Sequence, residues 1–280
     1  MNFRKAVVVG AGTMGRGIAQ VLLESGLHVG LHDASGAVLE AAVESVRKRV
    51  RRRHERGDIR GDPDEIAGRL CALAELSDLA GTNLAIEAVP ERLDLKQGVL
   101  ARLDGVLPPG AVLASNTSGL DLSALAGATG RPHRVVGLHF FNPPPAMPLV
   151  EVVAAPQTSP EVVTAVAELA RRCGKTPIEV GNRPGFAVNR LLFAMVAEAV
   201  RALEEGVASA EDLDRAVRLG AGHPIGPLAL ADFVGLDVCL DILESLEARL
   251  GPRYAPPASL RRLVAEGRLG RKTGGGFFNY

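Results

Sequence analysis

A histidine and a glutamate lie in two short apolar runs that are only a few residues apart. His139 follows the valines at 135–136, and Glu151 lies within the apolar run 149–153. Prolines 143–145 end the first run, because proline cannot donate a hydrogen bond within a sheet. A carboxylate among valines is costly unless it is neutralised or paired, and His139 is its nearest candidate partner along the chain.

The pair predicts a general base. The carboxylate of Glu151 would hold one imidazole nitrogen of His139, and the other nitrogen would be free to take a proton. A satisfied structural pair is the alternative interpretation of these two residues alone.

A glycine-rich turn follows the first apolar run of the chain. Residues 5–9 are apolar and β-branched, and a helical pattern begins directly after the turn. Gly10 permits a tight turn, Gly12 lets a pyrophosphate approach the backbone, and Gly15 lets the helix pack closely on the strand. The phosphates of a dinucleotide would lie at the positive N-terminus of that helix. The predicted cofactor-binding residues of the turn are Gly10, Ala11, Gly12, Thr13, Met14 and Gly15.

An acidic residue, Asp33, ends the second predicted strand, residues 28–33. It lies roughly twenty residues past the glycine turn, where dinucleotide-binding folds place the acid that binds the ribose. A carboxylate there accepts hydrogen bonds from both ribose hydroxyls and repels a 2′-phosphate. No arginine occurs between Asp33 and Arg47. We therefore predict NAD rather than NADP as the cofactor.

Short apolar runs alternate with helical patterns through the first two-thirds of the chain. Such alternation is typical of the α/β class with a Rossmann-like, doubly wound, mostly parallel sheet. Beyond a break at residues 182–185 the pattern is helical, and no convincing strand remains. We predict an NAD-binding domain over residues 1–183 and an all-helical C-terminal domain over residues 184–280. The predicted strands after the second are 70–76, 84–88, 112–114, 135–140, 149–153 and 177–180.

The composition limits the class of protein. The 280 residues are 47% hydrophobic, enough for a sizeable core, and Lys plus Arg and Asp plus Glu both number 32. This neutral balance gives no reason to expect nucleic acid or a membrane surface as a partner. No apolar run approaches the roughly 20 residues of a membrane span. No cysteine or histidine spacing argues for a metal.

The cysteines and the start of the chain bear on the compartment. The three cysteines, Cys71, Cys173 and Cys239, are widely spaced and are predicted to be buried free thiols. The first predicted strand begins near residue 5, which we interpret as leaving no room for a signal or transit peptide. Both observations favour a reducing cytoplasm.

A predicted helix over residues 36–56 ends in an arginine-dense segment, residues 47–56. A solvated helix face is one interpretation of this segment. The functional interpretation is a phosphate grip for a nucleotide-bearing substrate such as coenzyme A. Nucleic acid is disfavoured, because the whole chain is neutral and no aromatic residues interleave with the arginines.

Several motifs together resemble one known family. They are GAGTMGRGIAQ at 10–20, AIEAVPE at 85–91, ASNTSGL at 114–120, GLHFFNPP at 137–144, LVEVV at 149–153, PGFAVNRLL at 184–192, GHPIGPLALADFVGLD at 222–237 and GRKTGGGFFNY at 270–280. In this order they are similar to the NAD-dependent 3-hydroxyacyl-CoA dehydrogenases, in the short 3-hydroxybutyryl-CoA dehydrogenase form. The resemblance covers nearly the whole chain. It implies reversible oxidation of an (S)-3-hydroxyacyl-CoA to the 3-oxoacyl-CoA, and a homodimer formed through the helical domain.

The resemblance also implies roles for individual residues. His139 matches the family's catalytic base, and Glu151 matches the acid that orients it. Ser115 and Asn189 match groups that hydrogen-bond the reacting oxygen or its surroundings. The remaining matches are Asn142 in the cofactor and substrate site, Glu91, Lys96 and Lys272 near the cofactor, and Ser45 and Arg52 where the family contacts coenzyme A.

Three of these residues have a plainer interpretation from the sequence alone. Ser115 closes a strand, where open α/β sheets bind ligands, but it could instead cap the next helix. Asn189 lies in an apolar helix and could make a packing hydrogen bond. Lys272 could be a solvated lysine in a glycine-rich tail. At the level of function, two alternatives stay open: a dehydrogenase of a free hydroxy acid, such as gulonate dehydrogenase, and a non-catalytic NAD-binding protein on the same fold.

Overall fold

A computed structural model describes residues 1–77 and 79–280 of the chain. It divides into two compact units, Met1–Phe186 and Ala187–Tyr280. No helix in these described ranges combines the length and the apolar character needed to cross a bilayer.

The first unit is built on one sheet. Within the described residues it has eight strands, which are β1 (Lys5–Val9), β2 (His28–His32), β3 (Leu70–Leu73), β4 (Leu84–Glu87), β5 (Val112–Ser115), β6 (Val135–Phe140), β7 (Leu149–Ala154) and β8 (Thr176–Gly181). Their order in the sheet is β3-β2-β1-β4-β5-β6-β7-β8. Neighbouring strands run parallel except for β6 and β7, which are antiparallel. The Rossmann-like, mostly parallel sheet predicted from the sequence is therefore confirmed.

Helices cover both faces of this sheet. Successive residues of a strand point to opposite faces, and Val8 belongs to one core cluster while Val7 and Val9 belong to another. The helices are α1 (Thr13–Glu24), α2 (Gly36–Glu55), α3 (Pro63–Gly68), α4 (Leu93–Val106), α5 (Leu122–Ala126) and α6 (Pro160–Arg172). The first cluster includes side chains of α1, α2 and α6, and the second includes side chains of α4 and α5.

The short helix α3 is absent from the sequence-based prediction, although its start signal is present. Asp62 accepts a hydrogen bond from the backbone N–H of Asp64, and Pro63 occupies the first helical position. An acidic N-cap followed by proline is a common way to begin a helix.

The edge strand β3 corrects two predictions. The sequence predicts a strand over 70–76, but β3 ends at Leu73, and Leu76 packs into the second core cluster. Cys71 is exposed on β3, an edge strand whose two middle residues are both exposed, so the prediction of a buried thiol is wrong there. Cys173 is partly buried and Cys239 is buried; all three thiols are free.

The antiparallel pair β6–β7 is the exception to the parallel sheet. Residues 141–148 join its strands. That link is too short for a parallel crossover, which needs roughly a dozen residues or more, so the chain turns back on itself. The register places His139 opposite Glu151 and Gly137 opposite Val153.

The second unit is helical, as predicted. It contains α7 (Val188–Glu204), α8 (Ala210–Gly220), α9 (Pro227–Val234), α10 (Leu236–Leu250) and α11 (Ala258–Ala265). The buried carboxylate of Asp232 fixes the C-terminal tail, because it accepts hydrogen bonds from the backbone N–H groups of Phe277 and Phe278, both at 2.9 Å. The tail makes isolated bridges at Gly270–Gly275 and Gly275–Asn279 rather than a regular strand.

Close packing in the β6–β7 hairpin generates a prediction. A Cβ at Gly137 would lie 2.7 Å from the Cβ of Val153. Gly137→Ala should therefore lower the free energy of unfolding by about 1–3 kcal/mol, measured by urea denaturation. Val153→Ala should also destabilise the protein, because it opens a cavity at a fully buried site.

The double variant should lose less stability than the two single losses added together, since each change relieves the other. Gly98→Ala is the matched control, because a Cβ on that glycine of α4 meets nothing within 4 Å. Simple additivity of the Gly137 and Val153 losses would contradict the proposed contact.

Candidate active site

The hairpin brings the predicted base together. Nδ1 of His139 lies 2.7 Å from Oε2 of Glu151, and both side chains are buried. A carboxylate at that distance accepts the hydrogen bond from Nδ1–H, so the tautomer leaves a lone pair on Nε2. Nε2 can therefore take a proton from a bound hydroxyl group.

Aromatic side chains hold the imidazole in place. The ring of His139 lies 4.5 Å from that of Phe141 and 5.9 Å from that of Phe186, measured between centroids. Phe186 has a φ of 49°, in the left-handed region that bulky residues seldom adopt. Its buried side chain packs into the second core cluster, and this packing stabilises the unusual backbone conformation. The backbone N–H of Phe140 donates to Oδ1 of Asn116 at 2.8 Å, which ties the end of β6 to the end of β5.

Ser115 lies at the end of β5 and belongs to a buried polar network. Its hydroxyl donates to Oε2 of Glu87 at 2.7 Å, and Lys96 Nζ donates to Oε1 of Glu87 at 2.7 Å. All three side chains are buried. Ser115 also accepts a weaker hydrogen bond from the backbone N–H of Thr117, at 3.2 Å.

Lys96 is enclosed by acceptors. Its ammonium donates to Glu87 and to the backbone carbonyl of Val89 at 3.0 Å, and it lies 3.3 Å from Oε2 of Glu91. An ammonium has three donors, so these contacts use its full capacity. Lys96 can therefore support a ligand site through the carboxylates it holds.

Glu91 lies at the outer end of this network. Burial would raise the pKa of its carboxyl, but the Lys96 ammonium and hydrogen bonds from Thr117 and Ser118 outweigh it and lower the pKa below its usual range. Its side chain is 38% exposed, so the charge can face a bound molecule.

The glycine turn has the geometry that a dinucleotide requires. Gly10 has a φ of 98°, and a Cβ on Gly15 would lie 1.7 Å from the carbonyl oxygen of Gly10. A Cβ on Gly12 would meet nothing within 4 Å, and no side chain caps the N-terminus of α1. The turn thus presents open space and an uncapped helix N-terminus, which fit a pyrophosphate.

Asp33 is held at the end of β2. Its two carboxylate oxygens accept hydrogen bonds from the backbone N–H groups of Ala11, at 2.8 Å, and Ser35, at 2.9 Å. The first of these links the acid to the glycine turn. Each oxygen retains acceptor capacity for a ribose hydroxyl.

The side chain of Lys175 anchors the loop between β6 and β7. Lys175 Nζ donates to the carbonyls of Pro144 at 2.7 Å, Met147 at 2.9 Å and Pro145 at 3.3 Å. A Cβ on Gly17 would lie 2.8 Å from the Pro144 ring, so the loop packs against α1. Asn142, exposed at the start of this loop, lies beside the hairpin that carries the histidine.

A groove of about 690 Å³ runs along α2. Lys48 and Arg52 line it together with three glutamates and other arginines. Ser45 is partly buried and does not line the groove. Arg53 is also unavailable to a ligand there, because it pairs with Glu24 at 2.7 Å.

Two predicted site residues belong to the second unit. Asn189 is partly buried in the first turn of α7. Lys272 lies in the glycine-rich tail, and its ammonium is 2.6 Å from both carboxylate oxygens of Asp237. The structure therefore gives Lys272 a fixed partner rather than full solvation.

Comparison with known families covers both units. The pattern of the 3-hydroxyacyl-CoA dehydrogenase NAD binding domain matches residues 5–183, and that of the C-terminal domain matches residues 185–280. The chain belongs to the 3-hydroxyacyl-CoA dehydrogenase family. The NAD cofactor predicted from the glycine turn is accordingly confirmed.

Individual members of this family are similar over their full lengths. A probable 3-hydroxybutyryl-CoA dehydrogenase of Deinococcus radiodurans is 43% identical over 98% of this chain and 99% of its own. The human mitochondrial hydroxyacyl-coenzyme A dehydrogenase is 38% identical over 99% of this chain and 91% of its own. The crystal structure of an (S)-3-hydroxybutyryl-CoA dehydrogenase from Ralstonia eutropha has a TM-score of 0.95 and 42% identity, covering 100% of this chain and 99% of that chain.

Two buried residues of this family member escaped the sequence analysis. Glu87 lies inside the motif AIEAVPE at the end of an apolar strand, and the argument applied to Glu151 would have identified it. Lys175 carries no such signal, because its acceptors are backbone carbonyls that the sequence does not reveal.

The glycine turn yields a paired prediction. Gly12 has φ −66° and ψ −167°, which alanine adopts freely, and its Cβ would enter open space. Gly12→Ala should keep the stability of the wild type but weaken NADH binding roughly tenfold or more, about 1.4 kcal/mol, because the methyl group occupies the approach of the pyrophosphate.

Gly15→Ala should instead lower the free energy of unfolding, because its Cβ would collide with the Gly10 carbonyl. NADH fluorescence titration and urea denaturation separate the two effects. Wild-type NADH affinity in Gly12→Ala would show that the phosphates bind elsewhere.

Proposed function

We propose that this protein catalyses the reversible, NAD-dependent oxidation of a short-chain (S)-3-hydroxyacyl-CoA, such as 3-hydroxybutyryl-CoA, to the 3-oxoacyl-CoA. The observation that carries the proposal is the 2.7 Å contact between His139 and Glu151, in the same unit as an NAD-binding turn. The names of the full-length relatives support the substrate class.

The His139–Glu151 pair supplies the proton transfer. Nε2 of His139 takes the proton of the substrate's 3-hydroxyl group, and the Glu151 carboxylate at Nδ1 stabilises the imidazolium that forms. NAD held at the glycine turn and Asp33 would supply the acceptor for the hydride that leaves C3. A positioned general base of this kind typically contributes about 10²- to 10⁴-fold to the rate.

The other site residues have supporting roles in this proposal. Ser115 and Asn189 hold the surroundings of the reacting oxygen, and Asn142 lines the cofactor and substrate site. Glu91 faces the cofactor with the charge that Lys96 maintains, and Lys272 lies near the cofactor. Misplacement of a reacting group by about 1 Å can cost 10²-fold in rate, so such positioning is significant.

The groove along α2 is the proposed site for the phosphates of coenzyme A. Lys48 and Arg52 line it, and neither makes an ion pair with the described residues. Cations that have no ion-pair partner among the described residues suit an anionic ligand that binds and leaves. The groove also disfavours a free hydroxy acid as substrate, because such an acid carries no distal phosphates.

Assembly and location complete the proposal. We place the NAD-binding domain at residues 1–183 and the helical substrate and dimerisation domain at 184–280. Large apolar side chains on this helical part are exposed, among them Leu191 at 74% and Leu219 at 77%, which supports a homodimer. The exposed free thiol of Cys71 suits a reducing cytoplasm.

The function is tested by turnover. Wild-type protein should reduce acetoacetyl-CoA with NADH, and His139→Gln should lower kcat by about 10²- to 10⁴-fold. Glu151→Gln keeps the shape of the side chain but removes the charge, so kcat should also fall steeply. The double variant should be scarcely worse than His139→Gln alone, because the two residues act as a unit.

NADH titration of the three variants is the control and should stay close to wild type, and urea denaturation shows whether each variant is folded at the assay temperature, since removing one partner of a buried pair lowers stability. Absence of turnover in the wild type would refute the proposed function. Losses in ln kcat that simply added would show that the two residues act independently.

The groove is tested by changing its charge. Lys48→Gln combined with Arg52→Gln should raise KM for acetoacetyl-CoA and weaken its dependence on salt, because fewer charges contact the phosphates. The dissociation constant for NADH should barely change. Arg49→Gln is the matched control, since this arginine lies on the same helix but does not line the groove. An unchanged KM in the double variant would show that this face of α2 is only solvated and does not bind coenzyme A.

A further inference from the structure

We propose that Arg16, on the first turn of α1, binds the pyrophosphate of NAD through its guanidinium group, in addition to the backbone N–H groups of the glycine turn. The inference deepens the proposed function and rests on the NAD-binding part of it. Its test measures binding alone and needs no turnover of an acyl-CoA.

Arg16 lies where the glycine turn becomes a helix. Its backbone N–H donates to the carbonyl of Gly12 at 3.1 Å, the first hydrogen bond of α1. The N–H groups of Thr13, Met14 and Gly15 therefore precede the helical ladder and have no partner within it. A helical side chain leans toward the N-terminus of its helix, and Nη2 of Arg16 lies 3.4 Å from Oγ1 of the exposed Thr13. The guanidinium group and the free N–H groups are at the same end of α1.

The guanidinium group of Arg16 has a buried donor that the protein does not use. Its Nε is buried and has no hydrogen-bond partner among the described residues. The contact of Nη2 with Thr13, at 3.4 Å, is too long for more than a weak hydrogen bond. A buried donor without an acceptor is costly, and a charged donor is more so. A phosphate oxygen would supply the missing acceptor, because guanidinium N–H groups match the geometry of phosphate oxygens.

No carboxylate of the described residues forms an ion pair with Arg16. The first turn of α1 contains no acidic residue, and Asp33 accepts instead from the backbone N–H of Ala11. The positive end of a helix dipole repels a cation, which is more stable at the C-terminus of a helix. The position of Arg16 is therefore unfavourable in the free protein and becomes favourable when an anion binds there.

The surroundings of Arg16 identify this anion. Thr13 belongs to the glycine turn of the NAD binding domain, and a Cβ on Gly12 beside it would meet nothing within 4 Å. Arg16 does not line the groove along α2 that we assign to coenzyme A. The pyrophosphate of NAD, rather than that of coenzyme A, is therefore the group that Arg16 fits.

Binding measurements on Arg16→Gln test the inference. The dissociation constant for NADH, measured by fluorescence titration, should rise roughly tenfold to hundredfold, the usual effect of losing a hydrogen bond from a charged group. ADP-ribose keeps the pyrophosphate but lacks the nicotinamide, so its affinity should fall by a similar factor in calorimetry. The dissociation constant for coenzyme A should barely change.

Two further variants separate the charge of Arg16 from its shape and from the net charge of the protein. Arg16→Lys keeps the charge, so it should retain most of the salt dependence of NADH binding, whereas Arg16→Gln should weaken that dependence. Arg49→Gln is the matched control, because Arg49 belongs to the same unit and also forms no ion pair with the described residues. Its NADH affinity should equal that of the wild type.

Urea denaturation without NADH distinguishes a ligand-binding role from a structural one. Arg16→Gln should have a urea midpoint no lower than that of the wild type, because it removes an unsatisfied donor and a charge that the helix dipole repels. A lower midpoint would show that Arg16 holds the turn rather than the phosphates, and it would overturn the inference.

Three results of the binding measurements would also overturn it: an unchanged NADH affinity in Arg16→Gln, a loss confined to coenzyme A, or an equal loss in Arg49→Gln. A wild type that binds NADH but does not turn over acetoacetyl-CoA would refute only the proposed function. The binding measurements would then still decide the role of Arg16.

Discussion

Buried carboxylates on the strands of the sheet are the constraint around which the NAD-binding unit is organised. Glu151 and Glu87 are both fully buried, and an unpaired charge in such a place would cost several kcal/mol. Each is therefore matched by one cationic or potentially cationic partner, His139 in one case and Lys96 in the other. His139, the partner of Glu151, keeps one ring nitrogen free for a ligand. Lys96, the partner of Glu87, has all three of its N–H groups directed at protein acceptors.

The glycine turn meets a different constraint, which is the close approach of the helix to the strand and of the cofactor phosphates to the backbone. The turn must let a helix begin against a strand and still leave room for phosphate oxygens. Gly15 meets the first need, because any side chain there would collide with the Gly10 carbonyl, and Gly12 meets the second. The absence of a side-chain cap on α1 follows from the same logic, since a capping oxygen would compete with the phosphates for the N–H groups of the first turn.

Much of this arrangement could be predicted from the sequence, because its signals are local. The strand, the glycines and Asp33 lie within one short stretch, and the period of apolar residues gave the alternation of strands and helices. The pairing of His139 with Glu151 was predicted from the cost of an isolated buried carboxylate. By contrast, the anchoring of the proline loop by Lys175 depends on backbone carbonyls, and the pairing of Arg53 with Glu24 depends on how α2 packs on α1. Neither partner has a sequence signal.

The antiparallel connection between β6 and β7 explains how His139 and Glu151 come to face each other. His139 lies near the carboxyl end of β6, and a parallel neighbour would bring its own carboxyl end to that level, as β4 and β5 do, and not a residue near its start such as Glu151. The short turn of residues 141–148 instead brings Glu151 into direct register with His139 while both remain behind aromatic and apolar side chains. The same turn carries Asn142 and packs Pro144 on α1, the helix that begins at the glycine turn. This reversal of chain direction therefore links the hairpin that holds the His139–Glu151 pair to the helix that begins at the glycine turn.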